Sequence, residues 1–396
     1  MQEASKKIVL ILALCISFSG FTHPANGICA SDSLTDSIHM SKSQKSNNLF
    51  RRIISYFDDT NKPKKKKRFD VSFIGGPHYS SDTRLGLGLM AAGNYYTKGD
   101  TTLMPSNVSL YSDLSTVGFY LIGISGNNIF SGEDILFDYN VNLYSFPTKF
   151  WGIGYSNGRN KNNETKYDLF STKVSADLYF KLAEALYLGP GAQFSYMKGS
   201  DIDPQFLYLW NEERLRTLTT FIGFSAKYDT RDSFTDPHSG WLLSINQHFA
   251  PRFLGNKMAF SRTSFIASRY KAVWNGGIVA TTLEGTYNYG NVPWTMLSTF
   301  GGSKAVRGYY EGRYRDKVEV EGIVELRQHV WRRNGIAIWG GAAAIAPSIS
   351  KFRGKAILPC CGVGYRWEFK KRINVRLDFG IGRGEKSFVF NVNEAF

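Results

Sequence analysis

The chain lacks long hydrophobic segments. Beyond its amino terminus, no apolar run reaches the roughly 18 residues that a membrane-spanning helix requires. The mean hydropathy is also negative, at −0.25. These properties exclude a helical membrane protein with several spans. They do not exclude a membrane β-barrel, because alternation of polar and apolar residues hides the hydrophobicity of its strands.

Residues that carry metal or redox chemistry are also scarce. The 396 residues include four cysteines and six histidines, and no His-x-x-x-His or Cys-x-x-Cys spacing is present. Cys360 and Cys361 are adjacent, so in a strand they would point to opposite faces. We therefore expect no metal site, no cofactor and no disulfide framework. The oxidation state of this cysteine pair does not follow from the sequence.

One short motif is typical of hydrolases. Residues 154–158 match the Gly-x-Ser-x-Gly pattern around Ser156. That pattern is catalytic when a strand precedes the serine and a helix follows it. Here we predict a strand before the motif and an exposed loop over residues 159–163. We therefore expect no catalytic residue and no enzyme activity. An esterase function remains a weak hypothesis, because it depends on Ser156 alone.

The amino terminus predicts export. A basic start is followed by the apolar run of residues 8–18 and then by small residues around Ala25 and Ala30. This order is typical of a secretory signal peptide, which we assign to residues 1–30. A single anchoring helix is the alternative, and the shortness of the apolar run disfavours it.

Residues 31–68 predict a disordered basic linker. They are rich in Ser, Asn, Asp and Lys and end in the basic run of residues 62–68. The net charge of +15 would suit nucleic-acid binding in the cytosol. Behind a signal peptide, the run fits a segment beside anionic outer-membrane lipids, where each cation contributes about 1 kcal/mol. A solvated linker fits equally well. We expect no nucleic-acid partner, and no periplasmic domain of the usual size fits before residue 69.

From residue 69 onward, apolar and polar residues alternate. In residues 318–327, apolar positions alternate with Glu319, Glu321 and Glu325. Residues 241–249 show the same alternation. Strand-like runs of roughly ten residues, about fifteen or sixteen in all, are separated by turns. Charges on the second face, together with the export signal, favour a membrane barrel over a soluble sandwich. We predict an all-β protein, a transmembrane antiparallel β-barrel of about 16 strands over residues 69–396.

Aromatic residues near strand ends predict a girdle at the lipid headgroups. The pairs Phe150-Trp151 and Tyr309-Tyr310 and the segment of residues 365–367 show this placement. The longer loops, residues 157–165 and 199–216, would then be extracellular.

The segment of residues 301–309 contains Val306, Arg307, Gly308 and Tyr309. It resembles the inward-folded loop of the BamA/TamA-like outer-membrane protein assembly family, also called the bacterial surface-antigen family. The resemblance implies a loop tip inside the barrel, with its arginine held by carboxylates of the lumen wall. Glycine permits the sharp turn, and an arginine in a confined polar lumen can form a bidentate ion pair.

Other segments extend this resemblance over residues 69–396. About five strand-like runs follow the loop, as the family pattern requires. Residues 227–241 resemble the family's Asp-Thr-Arg-Asp and Pro-x-x-Gly hairpin, residues 374–382 its penultimate strand, and residues 388–396 its last strand. The alternative is an unrelated sixteen-stranded barrel that carries these motifs by chance.

Alternation selects carboxylate partners for Arg307. Asp378 is the first candidate and Glu325 the second, because both fall on the polar face of their strands. Some family members carry an aspartate in the strand after the loop's outgoing strand. Here that strand, residues 336–342, has no acid, so the partner is expected elsewhere.

The last strand carries the aromatic residues Phe388, Phe390 and Phe396. The resemblance implies that the assembly machinery recognises this strand. Phe396 is expected to place its ring at the periplasmic membrane interface.

The resemblance implies insertion or translocation of proteins, or of lipid, at the outer membrane of a diderm bacterium. The action would occur at a weak seam between the first and last strands, at residues 69–77 and 388–396, because unpaired strand edges template new strands. Members that assemble other proteins carry periplasmic POTRA domains, and none is recognised here. We therefore expect an accessory role with periplasmic or outer-membrane assembly partners. A passive pore or structural barrel is the alternative.

Overall fold

The computed structural model describes residues 69–80, 83–96, 106–130, 133–210 and 215–396. The predicted signal peptide, residues 1–30, and the predicted basic linker, residues 31–68, lie outside the described residues. None of the helices in the described ranges combines the length and the apolar character needed to cross a bilayer.

In the part of the chain that the structure describes, sixteen strands form a closed antiparallel barrel, and two further short strands pair with each other. The barrel strands are β1 (Phe69–Ser80), β2 (Arg84–Tyr95), β3 (Ser106–Ser115), β4 (Tyr120–Phe130), β5 (Ile135–Phe150), β6 (Thr165–Ala183), β7 (Leu186–Ser200), β8 (Arg216–Asp229), β9 (Gly240–Ala250), β10 (Phe260–Trp274), β11 (Gly277–Gly290), β14 (Val318–Trp331), β15 (Asn334–Ala346), β16 (Ile357–Lys370), β17 (Ile373–Gly382) and β18 (Glu385–Val392), and the short pair is β12 (Ser298–Thr299) and β13 (Arg315–Asp316). Within the described ranges, helical turns occur only in connections: the α-helix α1 (Tyr155–Arg159) and 3₁₀ turns at Lys161–Asn163, Pro204–Trp210, Arg252–Leu254, Trp294–Met296, Ile349–Lys351 and Gly354–Ala356.

Each barrel strand pairs with its neighbours in chain order, and β11 pairs with β14 across the long connection between them. Alternation decides which face of each strand enters the lumen. On β14, Val324 is 56% exposed on the outer surface, whereas the next residue, Glu325, is fully buried inside. The predicted antiparallel barrel of about 16 strands is confirmed.

Connections differ in length at the two ends of the barrel. Residues 151–164, 201–215, 251–259 and 291–317 connect strands at one end. At the other end, residues 184–185, 275–276 and 332–333 form tight turns. Both loops predicted to be extracellular lie at the long-loop end, which is the outer side in barrels of this kind. The connection of residues 291–317 turns back into the lumen.

The buried core lies inside the barrel, between its wall and the inward connection. One cluster is built around Trp210, Trp294 and Phe221, and a second around Val306 and Tyr309. Apolar side chains also cover the outer wall, as a lipid-facing surface requires.

Part of the predicted aromatic girdle is wrong. Phe150 and Trp151 are buried within the barrel, and the Phe150 ring stacks on Trp210 with 4.2 Å between centroids. Tyr309 is fully buried as well. The inward connection supplies an apolar surface inside the lumen, so these rings pack there instead of at the headgroups. Tyr365 does lie on the exposed outer face of β16.

The barrel closes at a narrow junction. The register of β1 and β18 joins them at a single residue pair, Ser80↔Val389. By contrast, β17 and β18 pair continuously from Val375↔Val392 to Gly382↔Glu385. An aromatic contact between Tyr79 and Phe388, with centroids 5.9 Å apart, adds to the junction. We call this β1–β18 junction the seam.

Candidate functional site

The inward connection forms a stalk and a tip. The strands β12 and β13 pair through Ser298↔Asp316 and Thr299↔Arg315 and make the stalk. The tip contains the predicted Val306–Tyr309 motif, and we call residues 300–314 the lumenal loop. Val306 is fully buried, so the tip is part of the barrel interior.

Glycines allow the tip to approach the wall. Gly308 has φ +113, and a Cβ placed on it would lie 2.8 Å from the carbonyl carbon of Ile381. On β17, a Cβ on Gly380 would lie 2.8 Å from the Gly308 nitrogen, and one on Gly382 would lie 2.5 Å from the Tyr309 ring. The glycines of the predicted penultimate strand therefore form the seat on which the loop tip rests.

Arg307 is fully buried and lies between both predicted carboxylates. Its Nη1 donates to Asp378 Oδ2 at 2.7 Å, and its Nη2 donates to Glu325 Oε2. Asp378 is on β17 and Glu325 on β14, so the arginine joins two strands of the wall through the loop. A planar guanidinium suits this double pairing better than a lysine ammonium.

The two carboxylates also bind arginines of the wall. Glu325 accepts from Arg327 at 2.8 Å. Asp378 accepts from Arg366 and from Arg376, both at 2.6 Å. Alternating charges in this buried network compensate the desolvation of each ion, because no carboxylate is left with a single partner.

A tryptophan occupies the strand in which the sequence offered no acid. The Arg307 guanidinium carbon lies 3.7 Å from the centroid of the Trp339 ring on β15. A ring face attracts a cation, and desolvation strengthens that attraction. Sequence reasoning missed this contact, although alternation places Trp339 on the same inward face of β15 as the buried residues Ala337 and Ala343. It missed Arg366 and Glu394 as well, which pair with each other at 2.8 Å.

Further hydrogen bonds anchor the loop to the last two strands. The Gly308 N–H donates to Ser387 Oγ at 2.8 Å, and the Tyr310 N–H donates to Glu385 Oε2 at 2.9 Å. The Tyr309 hydroxyl donates to the Pro359 carbonyl at 2.6 Å. Burial raises the pKa of Tyr309 to about 12, so the phenol keeps its proton. The loop is therefore attached on the β18 side of the seam.

The carboxyl terminus does not lie where alternation placed it. The Phe396 ring packs inside the barrel, 5.4 Å from the Arg327 guanidinium and 6.4 Å from the Tyr270 ring. The expectation of an interfacial Phe396 ring is therefore wrong. The strand ends at Val392, and Asn393 has φ +67, so alternation does not continue to the last residue. Phe388 is on the exposed outer face as expected, and a recognition role for the last strand stays a prediction.

The predicted Asp-Thr-Arg-Asp and Pro-x-x-Gly segment forms the turn between β8 and β9. Residues 230–239 reach the turn between β16 and β17, where Arg372 donates to Asp232 Oδ2 at 2.8 Å and to the Asp236 carbonyl at 2.7 Å. Burial of the Asp236 carboxyl opposes its ionisation, but the hydrogen bond and charge of His238, with the charges of Arg327 and Arg372, lower its pKa. The turn is thus tied across the short-turn end of the barrel.

Two smaller predictions concern single residues. Ser156 lies in the short helix α1 and is exposed, and residues 161–163 of the predicted loop form a 3₁₀ turn. Gly154, with φ +88, starts this helical turn, and the Gly158 carbonyl accepts from Arg313 at 2.8 Å. The helix therefore contacts the lumenal loop. On β16 the two cysteines are free, one buried and one exposed, which confirms their opposite faces.

These observations define a class of protein: an outer-membrane β-barrel of sixteen strands whose lumen holds an inward-folded arginine loop. A family model described as the Omp85 superfamily domain matches residues 127–350. The chain therefore belongs to the Omp85 superfamily, and the predicted resemblance to the BamA/TamA-like family is confirmed. It is a protein of the outer membrane of a diderm bacterium.

Solved structures share this fold. BamA from Haemophilus ducreyi lacking POTRA domains 1–3 superposes with a TM-score of 0.55 at 14% identity, over 83% of this chain and 71% of that one. CdiB from Acinetobacter baumannii superposes with a TM-score of 0.54 at 11% identity, over 83% of this chain and 60% of that one. CdiB from Escherichia coli superposes with a TM-score of 0.51 at 9% identity, over 83% of this chain and 64% of that one. The chain thus spans less than two thirds of either CdiB. No curated protein sequence matches it significantly.

Proposed function

We propose that this barrel takes part in inserting or translocating proteins at the outer membrane, and that the seam is its working edge. The single residue pair Ser80↔Val389 carries the proposal. Strand edges without a full partner present backbone donors and acceptors to any extended segment that approaches them. A client strand could therefore pair with β18 or β1 before it enters the bilayer.

The interior supports lateral access at the seam. A cavity of about 1370 Å³ is lined by residues 75–78 of β1, by residues 389–392 of β18 and by Asn393. Polar groups of a passing segment could thus stay hydrated in the lumen while its apolar side chains enter lipid. Pro77 also lacks an N–H, so it cannot donate to a ladder at this edge.

The arginine network gives the two sides of the seam different rigidity. Arg307 and Gly308 hold β17 and β18 through Asp378 and Ser387. The first strand is held mainly by its long pairing with β2, from Phe69↔Tyr95 to Ser80↔Arg84. We infer that the β1–β2 hairpin is the side that moves when the seam opens.

We further propose that residues 1–30 direct export, that residues 31–68 form a basic linker beside anionic headgroups, and that residues 69–396 are the barrel. A periplasmic or outer-membrane partner would deliver the client, so the chain acts as an accessory subunit. Co-purification from native membranes tests this, because a stoichiometric partner is expected and recovery of the chain alone contradicts it.

Tethering the seam tests the proposed activity. In a C360A/C361A background, Ser80→Cys and Val389→Cys place two thiols on the one paired position of the seam. The reduced protein in liposomes should accelerate folding of a client barrel over empty liposomes. Oxidation should abolish the acceleration, and reductant should restore it.

The matched control tethers a complete ladder. Ser268→Cys and Thr282→Cys join β10 to β11, where the native hydroxyls lie 2.8 Å apart. This tether should leave activity unchanged in both redox states. If the reduced proteins do not accelerate folding, the insertion proposal is contradicted. Full activity of the oxidised seam tether would exclude the seam as the working edge. Large, stable conductance in planar bilayers would instead favour a passive pore.

A further inference from the structure

The cavity beside the seam has an unusual distribution of charge. Among its described lining residues, the two carboxylates are already paired. Asp113 lies 2.8 Å from His78, and Glu311 lies 2.7 Å from Lys304. Three further cationic side chains line the cavity and take no part in these two pairs, namely Lys173, Arg262 and Arg315.

None of these three cations forms an ion pair with a carboxylate of the described ranges. The Lys173 ammonium lies 5.9 Å from the centroid of the Tyr144 ring. Arg262 donates to the side-chain carbonyl of Asn288 at 2.8 Å and to the Met296 carbonyl at 2.7 Å. These partners are neutral, so no direct contact compensates either positive charge.

Arg315 is similar and more deeply buried. Its guanidinium donates to the Gly312 carbonyl at 3.1 Å and lies 4.7 Å from the Phe150 ring. The like charges of Lys304 and Arg262 and the opposite charge of Glu311 act on Lys173 across the cavity. Like charges in a confined, partly dehydrated lumen repel each other, and an anion between them would relieve that repulsion.

The acidic residues that β11 and β14 carry beside the lumenal loop do not supply this anion. Glu284, Glu319 and Glu321 lie on β11 and β14, and none of them lines the cavity. The positive wall formed by β6 and β10 therefore faces open space.

The position and size of the cavity indicate the kind of anion. A volume of about 1370 Å³ exceeds what one small ion fills. Residues of β1 and β18 line the same cavity, so it extends from these cations to the seam, where a phosphate-bearing molecule can enter the lumen. Two guanidiniums and an ammonium are the groups that proteins use to bind phosphate.

We propose that this cavity binds a phosphate-bearing ligand through Lys173, Arg262 and Arg315. The site does not depend on insertion activity, and goes beyond the function proposed above. The phosphate can belong to an anionic lipid headgroup or to a free anion, and the two sources are distinguishable by experiment.

Two binding measurements on the full purified protein separate these sources. In detergent, inorganic phosphate is titrated calorimetrically at constant ionic strength, with chloride as the reference. In nanodiscs, native mass spectrometry counts the phosphatidylglycerol retained from a mixture with phosphatidylcholine. Phosphate binding alone assigns a free anion, and phosphatidylglycerol retention alone assigns a lipid headgroup. If neither phosphate binding nor phosphatidylglycerol retention exceeds its reference, the proposal is overturned.

Variants of Lys173 test the site itself, because this side chain has no described hydrogen bond to lose. Lys173→Gln should weaken binding about tenfold, as loss of one charge-assisted contact predicts. Lys173→Arg should restore it. The matched control is Lys227→Gln, a lumenal lysine paired with Asp138 at 3.7 Å outside this cavity.

The control should bind like the parent. Equal weakening by Lys173→Gln and Lys227→Gln would show a diffuse charge effect and overturn the site, as would unchanged binding by Lys173→Gln. Should Lys173→Gln fail to fold by circular dichroism, Arg262→Gln takes its place with the same expected loss.

Discussion

Removing the arginine at the loop tip is the most direct test of the network that holds the lumenal loop. Arg307→Ala deletes the hydrogen bonds to Asp378 and Glu325 and the contact with Trp339. Each charge-assisted hydrogen bond contributes about 1.5–3 kcal/mol, and a desolvated cation–π contact contributes about 2 kcal/mol. The sum of these contributions is an upper bound on the loss of stability.

Other groups reduce that loss. After the substitution, Glu325 keeps Arg327 at 2.8 Å, and Asp378 keeps Arg366 and Arg376 at 2.6 Å. Each buried carboxylate therefore keeps at least one arginine partner. The loss of stability should lie near the lower limit for breaking a buried ion pair. We expect the free energy of unfolding to fall by about 3 kcal/mol.

Urea unfolding of the barrel in lipid vesicles, followed by tryptophan fluorescence, measures this change. Arg307→Lys keeps the charge but not the planar fork, so we expect an intermediate loss. The matched control is Arg269→Ala, because that guanidinium lies 4.6 Å from the Trp241 ring but is exposed. It should change stability little. A loss below about 0.5 kcal/mol for Arg307→Ala, the range of ordinary surface substitutions, would refute the reasoning.

Three further predictions concern other parts of the barrel. Gly380→Ala places a methyl group against the loop tip, so limited proteolysis should cut the lumenal loop faster than in the parent; equal rates would argue against this seat. Asp232 and Asp236 have lowered pKa values in the folded protein. Their stabilising contribution is complete above the unfolded carboxyl pKa of about 4 and declines as the pH falls below it, so the urea midpoint should drop in that window, and by less in the double asparagine variant. Cys361 is exposed on the outer wall and Cys360 is buried; a lipid-soluble maleimide should label the former first, whereas preferential labelling of Cys360 would invert the assigned faces.

Much of the barrel follows from alternation along single strands. Period two places Glu325 and Asp378 on the inner face without knowledge of any neighbour, and both meet Arg307. The rule depends only on the two-residue repeat of an extended backbone. It stops where that repeat stops, which is why the position of Phe396 after Asn393 was predicted wrongly.

Contacts between distant segments could not be read in the same way. Phe150 and Trp151 are near a strand end, a position typical of girdle aromatics. Both are nevertheless buried, Phe150 against Trp210 and Trp294 and Trp151 against Tyr310. Trp339 lies 32 positions after Arg307 in the chain and meets it only because the loop folds inward. Whether a ring faces lipid or lumen depends on what occupies the lumen, and the pattern of one strand contains no information about that.

The sequence by itself determined the all-β class, the inward and outward faces of the strands, and the loop motif with its glycine. These properties depend on local backbone geometry and on burial of one face, which a linear pattern encodes. The tertiary structure decided the four-arginine network around Glu325 and Asp378, the narrow seam at Ser80↔Val389 and the positive cavity beside it. Each of these arises when closure of the barrel brings together strands that are far apart along the chain.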